Sequence, residues 1–293
     1  MLAIVIPYYK LTFFKETLQS LANQTDKRFK VYIGDDASPQ NPSDLLSKYQ
    51  GRFEFVYHRF ESNLGGVSLT KQWERCIALS NDEQWIMILG DDDYLDNSVV
   101  ESWYENYNVF YTKTEVIRFA SKMIVEETKI VSDVFTHPIW ELATDSFYRK
   151  LEHMTRSSLS EYVFSRTTYL KFGFHDYPLA WNSDDRAWLE FSDNKPIFTI
   201  NDNTVNVRLS TLNISGKQNN NEAKIISQLT FFRFLILEKL KFYSIPQIDR
   251  ILRCYEKEIK EQRSLKVSEW FFIFYFYLKY FDFDSFKKFL RRV

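Results

Sequence analysis

The chain has 293 residues, of which 45% are hydrophobic and 26% charged, and its formal net charge is −1. This length accommodates one large domain, or one domain with a smaller appendage, and the composition excludes collagen-like, low-complexity and disordered classes. Only two cysteines are present, Cys76 and Cys254, which excludes a disulfide framework and suits a reducing compartment.

Met1-Leu-Ala-Ile-Val-Ile6 carries no basic leader and reads as a strand, so no signal peptide is expected. Further strands are predicted over residues 31–33, 53–57 and 85–89. Between them, Phe14, Leu18, Leu21 and Ala22 form one apolar stripe at helical spacing, and Leu69, Trp73, Cys76 and Ile77 form another. Asn41-Pro42 supplies an N-cap and a first-turn proline for a short helix. This alternation predicts an α/β fold with a mostly parallel sheet flanked by helices, and it places ligands at the carboxyl ends of the strands.

Four motifs fall at those ends: Pro7-Tyr8-Tyr9-Lys10, Gly34-Asp35-Asp36-Ala37-Ser38, Asn63-Leu64-Gly65-Gly66 and Gly90-Asp91-Asp92-Asp93. The last follows the apolar run Trp85-Ile-Met-Ile-Leu89. Consecutive carboxylates repel and raise one another's pKa, so a cation is expected there. Carboxylates are hard ligands suited to Mg²⁺ or Mn²⁺, which commonly join protein oxygens to substrate phosphates. The alternative is a solvated strand end that caps the helix opened by Asp96-Asn97-Ser98.

Beyond residue 111, strands are predicted over residues 116–125, 162–165, 197–200 and 204–209. Asp184-Asp185 brings a second acidic pair to a helix start, and residues 213–221 read as a polar, mobile loop. Helices are expected over residues 225–242, 246–260 and 267–293, a C-terminal helical appendage beginning at Glu222. Residues 222–293 hold 15 Lys and Arg against 9 Asp and Glu, a net of +6, so this end suits an anionic partner. Its apolar run from Trp270 to Leu278 is too short to span a bilayer. His58, His137, His153 and His175 form no zinc pattern and read as surface or turn residues.

Taken in order, Ile4-Val-Ile-Pro-Tyr-Tyr9, Ile33-Gly-Asp-Asp-Ala-Ser38, Asn63-Leu-Gly65, Trp73, Arg75-Cys76, Leu89-Gly-Asp-Asp-Asp93 and Ser183-Asp-Asp185 carry a resemblance. Over residues 1–215 the chain resembles glycosyltransferase family 2, the inverting nucleotide-sugar transferases with a GT-A type, Rossmann-like fold. The resemblance implies that Pro7 and Tyr9 line the nucleotide site, with Tyr9 flanking a uracil whose ring N–H donates to Asp36. It places Asp92 near the ribose and Asp93 on the metal. The family's acidic motif usually begins where this chain has Gly90, so Asp91 is expected to substitute for the missing carboxylate. Lys71 and Arg75 are candidates for phosphate contact, with a solvated helix face as their alternative. Arg208 is a further phosphate candidate, because Ser210 stands where relatives often carry a histidine.

Asp185 is the expected general base and Asp184 its neighbour or substitute; the alternative for this pair is a helix cap. Asp35 is expected to close a turn. The implied activity is transfer from a UDP-sugar, with Mn²⁺ or Mg²⁺, to a saccharide hydroxyl, the acceptor being free or lipid-linked in bacterial surface polysaccharide synthesis. Rival readings are a sugar-phosphate nucleotidyltransferase and a catalytically degenerate nucleotide-sugar-binding protein. No nucleic-acid partner is expected. The expected location is cytoplasmic, with the basic tail either on an anionic membrane surface or packed on the catalytic domain.

Overall fold

The computed structural model describes residues 1–212, 220–281 and 283–291. The chain divides into two compact units, Met1–Asn220 and Asn221–Val293. The first opens with β1 (Leu2–Tyr8), α1 (Phe14–Ala22), β2 (Phe29–Asp35), α2 (Ser43–Ser47), β3 (Glu54–Arg59), α3 (Leu69–Ile77) and β4 (Trp85–Ile88). Pro42 lies at the N-cap of α2 instead of in its first turn. The Asn41 side chain accepts from the Ser43 amide, which displaces the start by one residue.

Apolar residues on both faces of β1 find separate partners because period-2 alternation sends neighbours to opposite sides. Ile4, Ile6, Val31, Ile33 and Met87 pack with Phe14, Leu18 and Leu21 of α1. Ala3, Val5, Tyr32, Ile86 and Ile88 pack with Trp73, Cys76 and Ile77 of α3. Each large apolar side chain buried this way contributes about 1.5–3 kcal/mol. The second face is tight at Gly34, where an added Cβ would lie 2.2 Å from Cys76 Sγ. Glycine is required there by the approach of α3.

The unit continues with β5 (Tyr94–Leu95), α4 (Val99–Phe110), β6 (Val116–Val125), β7 (Ile130–Val131), β8 (Trp140–Glu141), α5 (Ala143–Leu151), β9 (Tyr162–Ser165), α6 (Arg166–Phe172), α7 (Ser183–Phe191) and β10 (Ile197–Leu209). One sheet runs in the order β3-β2-β1-β4-β9-β6-β10-β5, with β7 on β6 and β8 on β10. Parallel pairing joins β1 to β2 and β4, β2 to β3, and β6 to β10. The sheet is nevertheless mixed, because β9 lies antiparallel between β4 and β6. That reversal matters for the site: it delivers the residues preceding β9 to the carboxyl end of β4. The two strands expected over 197–209 are one, whose register against β6 slips between Ile200 and Thr204. Asn201, Asp202 and Asn203 fall outside that pairing, which is why a polar break in sequence did not end the strand.

The second unit contains α8 (Asn221–Phe234), which continues through a π turn at Leu235–Lys239 and a 3-10 turn at Leu240–Phe242, then α9 (Ile245–Gln262), α10 (Val267–Tyr280) and α11 (Phe283–Leu290). Aromatic contacts link Phe232 to Tyr255, Tyr255 to Phe272, and Tyr277 to Phe289. The single helix expected over 267–293 is two helices, because Phe281 turns to extended geometry at the end of α10. Of the expected loop over 213–221, residues 213–219 lie outside the described residues and Asn221 already opens α8. Among the described residues, no helix is long and apolar enough to cross a membrane.

Candidate active site

Gly90, Asp91, Asp92 and Asp93 form the turn between β4 and β5. Asp91 Oδ2 accepts from the Tyr9 and Lys10 amides, both at 2.7 Å, and so ties this turn to the end of β1. Asp93 is buried. Its Oδ1 accepts from the Arg208 amide at 2.8 Å, and its Oδ2 accepts from Ser160 Oγ at 2.5 Å. Ser160 Oγ in turn accepts from the Gly90 amide at 3.0 Å, closing the turn from the β9 side.

A Cβ on Gly90 would lie 2.8 Å from Asp92 Oδ1 and 2.9 Å from Asp93 Oδ2. Both carboxylates therefore fold back over the Gly90 Cα, and a side chain there would push them out. This is a physical reason for glycine at position 90. Burial and the Asp91 charge push Asp92 up to about 7. Burial and the Asp92 charge do the same to Asp93. Asp91 is also raised by burial, against the pull of the Lys10 and Tyr9 amides.

Crowded, partly desolvated carboxylates of this kind are the donor set a hard divalent cation stabilises, so Asp92 and Asp93 fit Mn²⁺ or Mg²⁺, with Asp91 Oδ1 adjacent. Among the described residues no group of three or more His, Cys, Asp or Glu side chains is placed to hold a metal ion, so the turn offers at most a partial set of protein ligands. A cation held here would need further oxygens from water or substrate phosphate.

Arg208, a candidate for phosphate contact, meets protein groups around the acidic turn. Its side chain is buried; Nε donates to the Asp92 carbonyl at 3.0 Å, and the two terminal nitrogens donate to Glu126 and Glu16. The guanidinium also lies over the Phe13 ring. Arg208 is committed to holding the acidic turn from behind, through both its backbone and its side chain.

At the neighbouring strand ends, Tyr9 is 36% exposed, and its carbonyl accepts from Ser38 Oγ at 2.6 Å. Pro7 pairs with Gly34 across β1 and β2. Asp35 is fully buried and bonded to Tyr57, Arg59 and the Ser38 amide, closing its own turn. Asp36 Oδ1 accepts from the Leu64 amide at 2.7 Å and from Arg75, while Oδ2 accepts from the Gly65 amide at 2.9 Å. Burial raises Asp36 against those three donors.

Arg75, a candidate for phosphate contact, donates to Asp36 and the Ser62 carbonyl and stacks over Phe60 at 3.9 Å. An open cleft of about 410 Å³, lined by His58, Arg59, Phe60, Glu61, Ser62 and Arg75, lies beside it. Lys71, one turn earlier on α3, is exposed.

The acidic pair begins α7, after Asn182 in left-handed backbone geometry with φ 65°. Asp185 is buried: Lys150 Nζ donates to its Oδ1 and Oδ2 at 2.6 and 2.7 Å, and Asn182 Nδ2 to Oδ2 at 2.8 Å. Asp184 is half-buried. Burial and the Asp185 charge push it up to about 7. Burial pulls Lys150 down, but Asp185 and Asp184 outweigh it and its pKa is raised. The pair is more than a helix cap, since the Asp185 side chain binds an ammonium from another element. His137, expected at the surface, is buried, with Nδ1 3.0 Å from Arg149; burial lowers its pKa to about 2.

Ser160, Lys150, Glu16 and Glu126 escaped the sequence reading. Only Ser160 had a local signal, the capping box Ser158-Leu-Ser-Glu161 immediately before β9.

An acidic turn at the end of β4, an exposed aromatic and a carboxylate at adjoining strand ends, and the antiparallel return of β9 define a GT-A type α/β domain. Residues 3–131 match the family model described as Glycosyl transferase family 2, and this segment of the chain is a domain of that family. Similar solved structures include S. aureus TarS 1–349 in complex with UDP-GlcNAc, at 16% identity and TM-score 0.66, covering 92% of this chain and 77% of that one. A longer S. aureus TarS structure gives 15% identity and TM-score 0.63; the likeness covers 92% of this chain but only 46% of that chain. Mannosyltransferase PcManGT from Pyrobaculum calidifontis, in complex with GDP-Man and Mn²⁺, gives 11% identity and TM-score 0.54, covering 90% of this chain and 76% of that one. At these identities the likeness concerns the fold. No match was found among curated protein sequences.

Proposed function

We propose that this protein is an inverting glycosyltransferase that moves a sugar from a UDP-sugar to a hydroxyl of a saccharide acceptor. The observation that carries this reading is the Asp91–Asp93 turn, anchored to the end of β1 and crowded enough to call for a cation, beside Tyr9 and the Asp36–Arg75 pair. Tyr9 offers an aromatic face to the base. A carboxylate has about four acceptor sites; Asp36 uses three of them within the protein. The remaining one suits a uracil ring N–H, while the Arg75 guanidinium suits a ring carbonyl. A Mn²⁺ or Mg²⁺ ion held by Asp92 and Asp93 would supply Lewis-acid stabilisation of the diphosphate charge.

The acceptor oxygen bonds to the anomeric carbon as the bond from that carbon to the β-phosphate oxygen breaks. The electron pair leaves with UDP, and the hydroxyl proton passes to the acidic pair of α7. Support for a lipid-linked acceptor and a peripheral membrane position comes from the second unit. There α10 leaves Val267, Phe271, Tyr275 and Leu278 exposed along one face beside Lys279, in a segment of net charge +6. Calorimetry with UDP, UDP-GlcNAc and GDP-mannose, with Mn²⁺ or EDTA, tests the donor class. UDP binding that requires Mn²⁺, with UDP release from a UDP-sugar, is the expected result; equal UDP affinity in EDTA removes the metal assignment. Flotation with anionic vesicles tests the tail, and failure to co-float removes the membrane position.

A further inference from the structure

Resting on the transferase reading, we infer that Asp176 is a positioning residue that clasps the nucleotide half of the site to the acceptor half. On the nucleotide side, the Leu64 and Gly65 amides hold Asp36, and the chain then turns into α3 as the Val67 and Ser68 amides donate to the Leu64 carbonyl at 2.9 and 2.8 Å. Ser68 caps α3, its Oγ accepting from the Lys71 amide at 3.2 Å. The same hydroxyl donates to Asp176 Oδ1 at 2.8 Å, and Thr70 Oγ1 donates to that oxygen at 2.6 Å. Both hydroxyl residues are buried, and they lie 108 and 106 residues from Asp176 in sequence. The loop opened by Asn63-Leu64-Gly65-Gly66 is thereby tied to a distant segment as well as to Asp36.

On the acceptor side, Asp176 lies in the segment that joins α6 to α7. Phe174 seats this segment on Trp73 of α3, with ring centroids 5.3 Å apart. Beyond Asp176, Leu179, Ala180 and Asn182 take φ of 61°, 53° and 65°. Residues other than glycine hold this left-handed geometry only where the surroundings fix it. One end of the strained stretch is fastened to α7: Ser183 Oγ donates to the His175 carbonyl at 2.7 Å and accepts from the Tyr177 amide at 3.4 Å, and Asn182 Nδ2 donates to Asp185 Oδ2 at 2.8 Å. Asp176 fastens the other end to α3. The acidic pair is therefore aimed relative to the nucleotide loop through Asp176, which acts by way of Asn182 and the first turn of α7 and touches no reacting atom.

Three readouts on the full chain test the clasp: UDP affinity by calorimetry, kcat for UDP release from UDP-GlcNAc with water as acceptor, both with Mn²⁺, and hydrogen exchange over residues 175–185. Asp176→Ala should leave UDP affinity within about twofold and lower kcat by about 10–10²-fold, the scale of a displacement of about 1 Å at a catalytic group. Exchange over 175–185 should quicken as the segment loses its anchor. Asp176→Asn keeps an accepting oxygen for both hydroxyls and should restore all three readouts. Thr70→Val removes one donor from the other side, should reproduce the alanine pattern at smaller size, and decides the matter if Asp176→Ala does not fold.

Parental kcat in Asp176→Ala overturns the inference, even with faster exchange, because the contact is then a structural tie alone. UDP affinity that falls in step with kcat also overturns it, since Asp176 would then serve the nucleotide half only. So does an Asp176→Asn protein as poor as Asp176→Ala, which would make charge and not the clasp the operative property. If the parent releases no UDP from UDP-GlcNAc, the failure lies with the donor reading, and exchange alone judges the clasp: faster exchange in Asp176→Ala with parental exchange in Asp176→Asn supports it, and no difference overturns it.

Discussion

The two acidic clusters of the catalytic unit, Asp91–Asp93 and Asp184–Asp185, look alike in sequence and are balanced in different ways. The second carries its own counter-ion, Lys150, at hydrogen-bond distance from Asp185. The first is held by neutral donors, the Tyr9, Lys10 and Arg208 amides and the Ser160 hydroxyl, while the Arg208 guanidinium is spent on Glu16 and Glu126. A cluster whose shape is fixed by amides and hydroxyls keeps its charge available for an external cation. One neutralised from within is a finished piece of protein electrostatics. The origin of the balancing charge separates a ligand site from a tuned side-chain pair better than a count of acids does.

The sharpest way to break this contrast is to replace the half-exposed acid of the first cluster. Asp92→Asn should weaken Mn²⁺-dependent UDP binding by tenfold or more in calorimetry, with its melting temperature within about 2 °C of the parent, as for a partly exposed polar change. Equal UDP affinity in the variant would remove Asp92 from the site.

Next in size is the response to pH. Asp92 and Asp93 are raised to about 7, above their unfolded values near 4. Their stabilising contribution is therefore present below pH 4 and lost as the pH rises through 7. In EDTA the native state should lose stability across that interval, and Mn²⁺ at pH 7.5 should restore about 5 °C in melting temperature by binding the folded form. Asp184 is raised too, but a pair whose counter-ion is Lys150 predicts no Mn²⁺ effect from it. Asp92→Asn should lose the Mn²⁺ response and Asp184→Asn should keep it. The reverse pattern would exchange the roles of the two clusters.

The smallest expected change comes from Ser160→Ala. It removes one donor to Asp93 and one acceptor for the Gly90 amide, a loss of about 1–3 kcal/mol in unfolding free energy by denaturant titration. Mn²⁺ affinity should fall with it, because the turn loses its β9-side anchor. A variant with unchanged stability would mean that Ser160 does not shape the turn.

Much of the fold was legible because its signals are local. The strands predicted over 116–125 and 162–165 match the structure to the residue, because β-branched and aromatic side chains mark them even where Arg118, Ser121 and Lys122 interrupt the apolar pattern. The acidic turn and the paired carboxylates were legible for the same reason. Hidden from sequence were the partners that decide what those groups do. Lys150 lies 35 residues from Asp185, Ser160 lies 67 from Asp93, and Arg208 lies 192 from Glu16. The charge of Arg75 and Arg208 makes them plausible phosphate ligands, and sequence does not show the carboxylates they meet, Asp36 for Arg75 and Glu16 with Glu126 for Arg208. β10 reads as two strands in sequence because the polar triplet 201–203 ends an apolar pattern without ending a strand whose far half still pairs with β6.

The clasp that Arg208 forms has a bearing on how this protein is made. Its amide holds Asp93 and its guanidinium reaches the Asp92 carbonyl, so the acidic turn near residue 90 takes its final shape only once residue 208 is in place. On the ribosome, more than a hundred residues must emerge after the aspartates before Arg208 can close their turn. Contacts of such long sequence separation are slow to form. A nascent chain thus passes through most of its synthesis with the sheet under construction and the acidic turn still open, and a chain cut short before β10 is completed inherits the aspartates without their arrangement.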